Sequence, residues 1–317
     1  MPSQSYARRN QYSGISAALA WVICSFLLVL LLASSVSAQE LEPRAYSPAP
    51  VGLNFLVVSY AYQFGEVLFD PTVPITDVEA KLNGSAIAYG RTFGIAGRSA
   101  SALAAFPYVW GKVSGNVFEQ RTEVTRSGNA DSRFRLAVNL LGGPALKPRE
   151  FAARKQTTTI GASLTMVAPT GQYDPAKLVN IGTNRWAFKP EVGIARPIGN
   201  WSVEFYGGVW LFTDNNNFFG GQKREQAPMM SLQTHVSYTF KPRLWISGDA
   251  TFYTGGRTTV NGVLKADLQR NTRIGVTASF PLTKKTSLKA AWARGVITRI
   301  GGDFNVFGIT WQYAWFD

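Results

Sequence analysis

From Asn305 to Phe316 every second residue is large and apolar or aromatic: Phe307, Ile309, Trp311, Tyr313 and Trp315. The residues between them, from Val306 to Ala314, are small or polar. A period of two predicts a β-strand with one greasy face. At the end of a chain it suits the wall of a transmembrane barrel, lipid outside and water inside. The alternation recurs over Leu53–Phe64, Val78–Phe93, a third strand from Ala102 to Trp110, Arg133–Leu141, Thr157–Ala168, Trp186–Arg196, Trp201–Thr213, Met229–Phe240, Leu244–Thr254, Arg270–Phe280 and Ser287–Arg294. With the last strand the count is about twelve, an even number as in bacterial barrels. The second strand mixes Glu79, Lys81 and Asn83 with Ile87 and Tyr89 on one parity, which predicts a bulge near Gly84.

Between strands, short turns such as Gly199-Asn200 and Lys241-Pro242-Arg243 alternate with long polar stretches at Glu119–Ala130, Pro169–Arg185, Asp214–Glu225 and Gly255–Gln269. A turn is expected around Lys147-Pro148-Arg149. In an up-and-down barrel the short turns face the periplasm and the long loops face outward. The fold expected is all-β: a transmembrane antiparallel up-and-down barrel. A soluble sandwich shares the period but needs no aromatic residues on the outer face of most strands.

The N-terminus changes the picture. Arg8 and Arg9 precede an apolar run from Ala17 to Ala33, and Val36-Ser37-Ala38 offers small residues before a cut. This reads as a cleaved signal peptide over residues 1–38. Residues 39–51, with Pro43, Pro48 and Pro50, read as an extended segment, and 52–317 as the barrel. Cys24, the single cysteine, lies inside the signal, so disulfides, thiolate metal sites and cysteine nucleophiles are excluded from the mature chain. No later apolar run reaches the roughly 18 residues of a helical span. The net charge is +13. With a secretion signal present, that charge points to anionic lipid head groups rather than to nucleic acid.

Aromatic residues make up 13% of the chain and cluster at strand ends, as a membrane girdle requires. Charges on spanning strands should face the lumen, because Arg or Lys on the lipid face costs about 2–4 kcal/mol near the midplane. By parity the inward set is Lys81, Arg133, Arg135, Lys189, Arg273 and Lys289, with the acids Glu79, Glu191, Glu204 and Asp249. These are the candidate pore-lining groups, together with His235, the single histidine. His235 shares its face with Ser231, Gln233 and Ser237, and Asp249 could orient its ring, so a hydrolase centre is a minor alternative. No cofactor or metal is expected. Tyr173, Arg185 and Trp186 cluster in a Pro- and Gly-fixed loop and are the candidate gate. Tyr46, Pro48 and Pro50 make a stiff segment suited to the barrel mouth.

Two stretches carry a resemblance: EPRAYSPAPVGLNF (Glu42 to Phe55) and APTGQYDPAKLVNIGTNRWAFKPEVG (Ala168 to Gly193). They resemble the MetA-pathway phenol-degradation family of Gram-negative outer-membrane proteins, over essentially the whole mature chain. The resemblance implies a monomeric outer-membrane barrel that passes small aromatic or hydrophobic compounds, with no catalytic residues to carry over. The expected function is therefore passive uptake of such solutes, without enzyme activity. A non-transporting structural barrel is the main alternative. Expected partners are outer-membrane lipid, the barrel assembly machinery through the last strand, and the solutes. The trailing Asp317 departs from the aromatic ending common in barrels.

Overall fold

The computed structural model describes residues 41–68, 75–117, 120–177 and 179–317. The signal peptide read over residues 1–38 lies outside the described residues. So do the first two residues of the extended segment.

The wall consists of β1 (Leu53–Leu68), β2 (Ile75–Ile95), β3 (Arg98–Val117), β4 (Gln120–Asn129), β5 (Ser132–Leu141), β6 (Thr159–Ala168), β7 (Ala187–Ile198), β8 (Trp201–Phe212), β11 (Met229–Lys241), β12 (Leu244–Gly255), β15 (Gln269–Pro281), β16 (Thr286–Ile297) and β17 (Gly301–Phe316). β4 pairs with the outer half of β3 and β5 with its inner half, so together they form one wall strand broken at Ala130-Asp131. The result is a closed antiparallel 12-strand barrel. β1 and β17 pair continuously from Leu53↔Phe316 to Leu68↔Gly301 and close it. Among the described residues no helix is long and apolar enough to cross a membrane.

The outer face carries the belt that the alternation predicts. Ile87, Phe106, Val192 and Phe205 are all more than half exposed, which is unfavourable in water and favourable in lipid. Aromatic pairs sit at both rims. Trp201 packs edge-on to Tyr238 at 4.9 Å beside the short turns, and Trp311, Tyr313 and Trp315 stack along β17 toward the same end. Tyr108 with Trp110, and Trp186 with Phe188, mark the opposite rim. Asp317 accepts hydrogen bonds from Asn54 Nδ2 at 2.8 Å and from Arg91, and so ties the end of β17 to β1 and β2.

Four sequence expectations change. β2 runs in register with β3 through Gly84, and its shift lies between Thr76 and Glu79. The polarity of its outer face switches because the strand rises above the lipid, not because it slips. Glu79 and Lys81 therefore face outward, and the inner positions there are Val78, Ala80 and Leu82, packed with Val113, Phe304 and Val306. The stretch expected as a loop at Glu119–Ala130 contains strand β4, whose pairing with β3 extends that hairpin outward. The stretches at 214–225 and 255–269 contain β9 (Asn215–Phe218), β10 (Gln222–Gln226), β13 (Thr258–Val260) and β14 (Val263–Leu264), which form a separate small sheet at the outer rim. Short polar segments outside the lipid escape a reading tuned to long greasy alternation. At the inner rim, the expected turn near Lys147 holds a short helix, α1 (Pro148–Ala152), with Pro at its start.

Replacing Val192 by Arg places a charge at mid-strand on the lipid face. The expected loss of stability is about 2–4 kcal/mol, read as a lower urea midpoint of the refolded barrel by tryptophan fluorescence. An unchanged midpoint would contradict lipid contact at this position.

Candidate functional site

The interior divides into two walls of different chemistry. One runs from β5 to β15 and is polar. Its inward faces carry Arg133 and Arg135 on β5, Lys189 and Glu191 on β7, Glu204 on β8, His235 on β11, Asp249 on β12 and Arg273 on β15. Lys189 Nζ lies 2.7 Å from Glu191 Oε2, and Arg135 lies 3.9 Å from Oε1. Lys189 and Arg133 both sit over the face of Trp210, a buried inward residue of β8. Arg273 donates to the carbonyl of Gly302 at 2.9 Å. Lys289 on β16 also points inward, 5.9 Å from the centroid of the Trp245 ring.

His235 faces Glu204 and Asp249 directly across its two neighbouring strands. Its Nδ1 is 2.8 Å from Asp249 Oδ1, and Asp249 also accepts from Ser247 at 3.2 Å and Thr277 at 2.9 Å. Nε2 and the hydroxyl of Ser231 have no hydrogen-bond partner, and the ring is fully buried against Tyr206. The arrangement is an orienting pair without an engaged nucleophile. Among the described residues no group of three metal-binding side chains occurs.

The polar wall is occupied by the chain's own N-terminal segment. Residues 47–51 lie at the inner rim, where Ser99 donates to the Ala49 carbonyl and Thr92 to that of Pro50. Residues 41–46 continue into the lumen. The Arg44 N–H donates to Glu204 at 2.7 Å, and its guanidinium reaches Ser237 and Thr239 and lies 4.7 Å over Trp245. The Ala45 N–H donates to the Tyr206 hydroxyl, which in turn donates to Glu204. The Tyr46 hydroxyl is 2.9 Å from both Ser163 Oγ and Glu191 Oε1. Its ring is buried edge-to-face on Tyr206, with the Arg135 guanidinium above it. Gly161 and Gly193 make this seat flat: a Cβ on either would come within 2.2 or 2.3 Å of the Tyr46 ring. Charge-assisted and buried bonds of this kind are the strong ones.

Glu42 is enclosed by the barrel yet open to the space beside it. Burial alone would raise its carboxyl. Arg135, Arg133, Lys189 and Lys289 outweigh that effect and hold it below the usual carboxylate range.

The other wall, β1 to β3 with β16 and β17, is largely apolar and built of small residues. Between it and the N-terminal segment lies a cavity of ≈ 520 Å³. Ala61, Ala86, Gly111, Ala291 and Gly308 form much of its side, and Glu42, Arg44, Arg126 and Lys289 supply its charge. Reading for charge missed this wall, although Ala, Gly and Val at inward parity in the first and last strands announce it.

Val179, Asn180 and Ile181 reach the same cavity from the loop after β6. Asp131 staples this loop by accepting from the N–H groups of Gly171 and Thr183 and from the Thr183 hydroxyl, and Arg126 donates to the Val179 carbonyl. Tyr173, Arg185 and Trp186 do not line the cavity. Tyr173 bonds Asn215 and Asn217 of the outer sheet. Arg185 is buried on Phe212 and bonds Gln226. Trp186 faces outward and stacks with Phe188 at the rim. The parity of β7 sends Trp186 out with Phe188 and Val192, a signal present in the sequence.

Comparison with known proteins follows the same lines. The family model described as "Putative MetA-pathway of phenol degradation" matches residues 68–299. The crystal structure of an outer membrane channel from Pseudomonas putida F1 superposes with a TM-score of 0.73 at 20% identity, covering 87% of this chain and 100% of that one. The transport unit of the autotransporter AIDA-I from Escherichia coli gives a TM-score of 0.52 at 10% identity, covering 96% and 99%. Among curated proteins none matches.

Substituting Gly161 by Ala should unseat Tyr46 and raise the single-channel conductance of the refolded protein above that of the unaltered chain. Gly207→Ala, whose Cβ meets only Leu232 at 3.5 Å, is the control expected to change nothing. Equal conductance in Gly161→Ala and the unaltered chain would mean that the tyrosine does not restrict the lumen.

Proposed function

Since the chain belongs to the MetA-pathway phenol-degradation family and is an outer-membrane β-barrel of a Gram-negative bacterium, we propose that it is a channel for passive entry of small aromatic or otherwise hydrophobic solutes. The observation that carries this reading is the apolar cavity between the N-terminal segment and the β1–β3, β16–β17 wall. Small residues there leave space of about the size a ligand pocket needs. A barrel serving only as scaffold gives no reason for one wall to be thinned while the other is filled.

In this reading Arg133, Arg135, Lys189, Glu191, Glu204, His235, Asp249, Arg273 and Lys289 line the pore and set its field. Arg135, Glu191 and Glu204 anchor the N-terminal segment, which supports a restricted lumen. The loop from Tyr173 to Trp186 narrows the outer side through Val179 to Ile181. Tyr173 and Arg185 hold that loop, and Trp186 anchors the rim. The protein works without enzyme activity: the sealed His235 ring with its unengaged Nε2 supports that over hydrolysis. The continuous β1–β17 seam supports a monomer, and β17 is the strand offered to the assembly machinery.

The test is single-channel recording of the refolded protein in a planar bilayer with phenol added. A small steady current that phenol partly interrupts is expected. Ala291→Trp, which fills the cavity, should abolish the interruption while the barrel stays folded. Interruption that persists unchanged in Ala291→Trp would overturn the cavity reading.

A further inference from the structure

Gln63 on β1 faces inward and lines the cavity. Directly opposite it stand Leu82 on β2 and Val306 on β17. Both belong to a buried apolar cluster with Val113 and Phe304, in which no side chain can bond an amide. The Gln63 side chain is itself buried, and its Oε1 has no hydrogen-bond partner among the described residues. An acceptor enclosed in that way is unfavourable, whereas a leucine of similar size would join the cluster without that cost. The terminal amide turns about a soft torsion, so its oxygen or its NH2 group can be presented to the cavity.

The charged groups of the cavity lie elsewhere. Lys289 stands opposite Thr310, and Thr310 opposite Ser59, four residues along β1 from Gln63 or about 13 Å away. Glu42 and Arg44 belong to the segment docked on the polar wall, where Arg44 bonds Glu204 and Ser237. Arg126 shares a row with Gln63, but across Leu82 and Gly111, three strands away. Its guanidinium already donates to the carbonyls of Thr125 and Val179.

We infer that Gln63 is a specificity-determining residue of the channel: it accepts a hydrogen bond from the head of a neutral solute whose apolar body rests on the cluster, and so favours hydroxyl-bearing aromatics over hydrocarbons of the same size. This deepens the channel reading above and rests on it. In an open cavity, water can serve the amide. A solute hydroxyl takes over that bond as it displaces the water, whereas a methyl group strips the amide and leaves it bare. The amide carries no charge, so it holds a solute no more tightly than one neutral hydrogen bond allows, which suits passage rather than capture.

The experiment records single channels of the refolded full mature chain in a planar bilayer. It finds the concentrations of phenol and of toluene, which differ only by hydroxyl against methyl, that halve the current. Gln63→Leu should raise the phenol concentration by roughly tenfold and leave that of toluene unchanged or lower. Gln63→Met, which keeps the length of the side chain and loses the amide, should do the same. Heat-modifiable migration on a gel confirms that each variant is a folded barrel. The urea midpoints of both should equal or exceed that of the unaltered chain, since no bond within the protein is lost. If phenol and toluene shift together in both variants, or neither shifts, the inference fails and the channel reading stands. If the midpoint falls in both variants, the amide serves the wall itself and the inference fails. If phenol has no effect on the unaltered chain, the channel reading fails, and this inference with it.

Discussion

Closing strands in lipid gives each side chain two directions, and the hydrocarbon forbids charge one of them. In this barrel that constraint fills the interior of β5 to β15 with Arg, Lys, Glu, Asp and His. A polar interior of this kind must then satisfy itself, because a half-satisfied buried network costs more than an apolar one. The wall pairs some groups along a strand, as with Lys189 and Glu191, and others across strands, as with His235 and Asp249. Further groups, Glu204, Tyr206 and Ser163 among them, are completed from outside the wall by the backbone and side chains of Arg44, Ala45 and Tyr46. The segment is held by the same charges that lipid drove inward.

That explains the asymmetry of the lumen. Polar bonds draw the segment to one side, and the opposite side needs no polar partner. There many inward positions are Ala, Gly or Val, among a few larger or polar ones such as Phe55, Gln63 and Gln312, and space remains. Polarity and emptiness are two sides of one arrangement: the segment cannot lie against both walls.

The barrel was legible in the sequence because lipid contact imposes a strict period of two on every spanning strand. Parity also reads the direction of Arg133, Glu191 or Asp249 without any structure. It misleads where the solvent changes along a strand: Glu79 and Lys81 share a face with Ile87, yet one end of that face meets water and the other lipid. The candidate gate residues drew notice for aromatic and charged character, but a cavity is lined by what is small, and Val179 to Ile181 and the alanines of β16 carry no conspicuous chemistry. The seat of Arg44 and Tyr46 depends on partners far along the chain, and no local pattern reports contacts of that range. Tyr46 and its prolines did signal a stiff segment near the mouth, because proline acts locally.

The bonds that seat this segment span large sequence separations: 117 residues from Tyr46 to Ser163, 160 from Arg44 to Glu204 and 195 from Arg44 to Thr239. Contacts of such range form late in folding, after the chain between them has been ordered. Arg44 and Tyr46 precede every one of these partners along the chain. Their partners lie on strands from β6 to β11, so the seat exists only once the middle of the wall has assembled. A barrel whose middle strands have not yet assembled is consequently an unoccupied one.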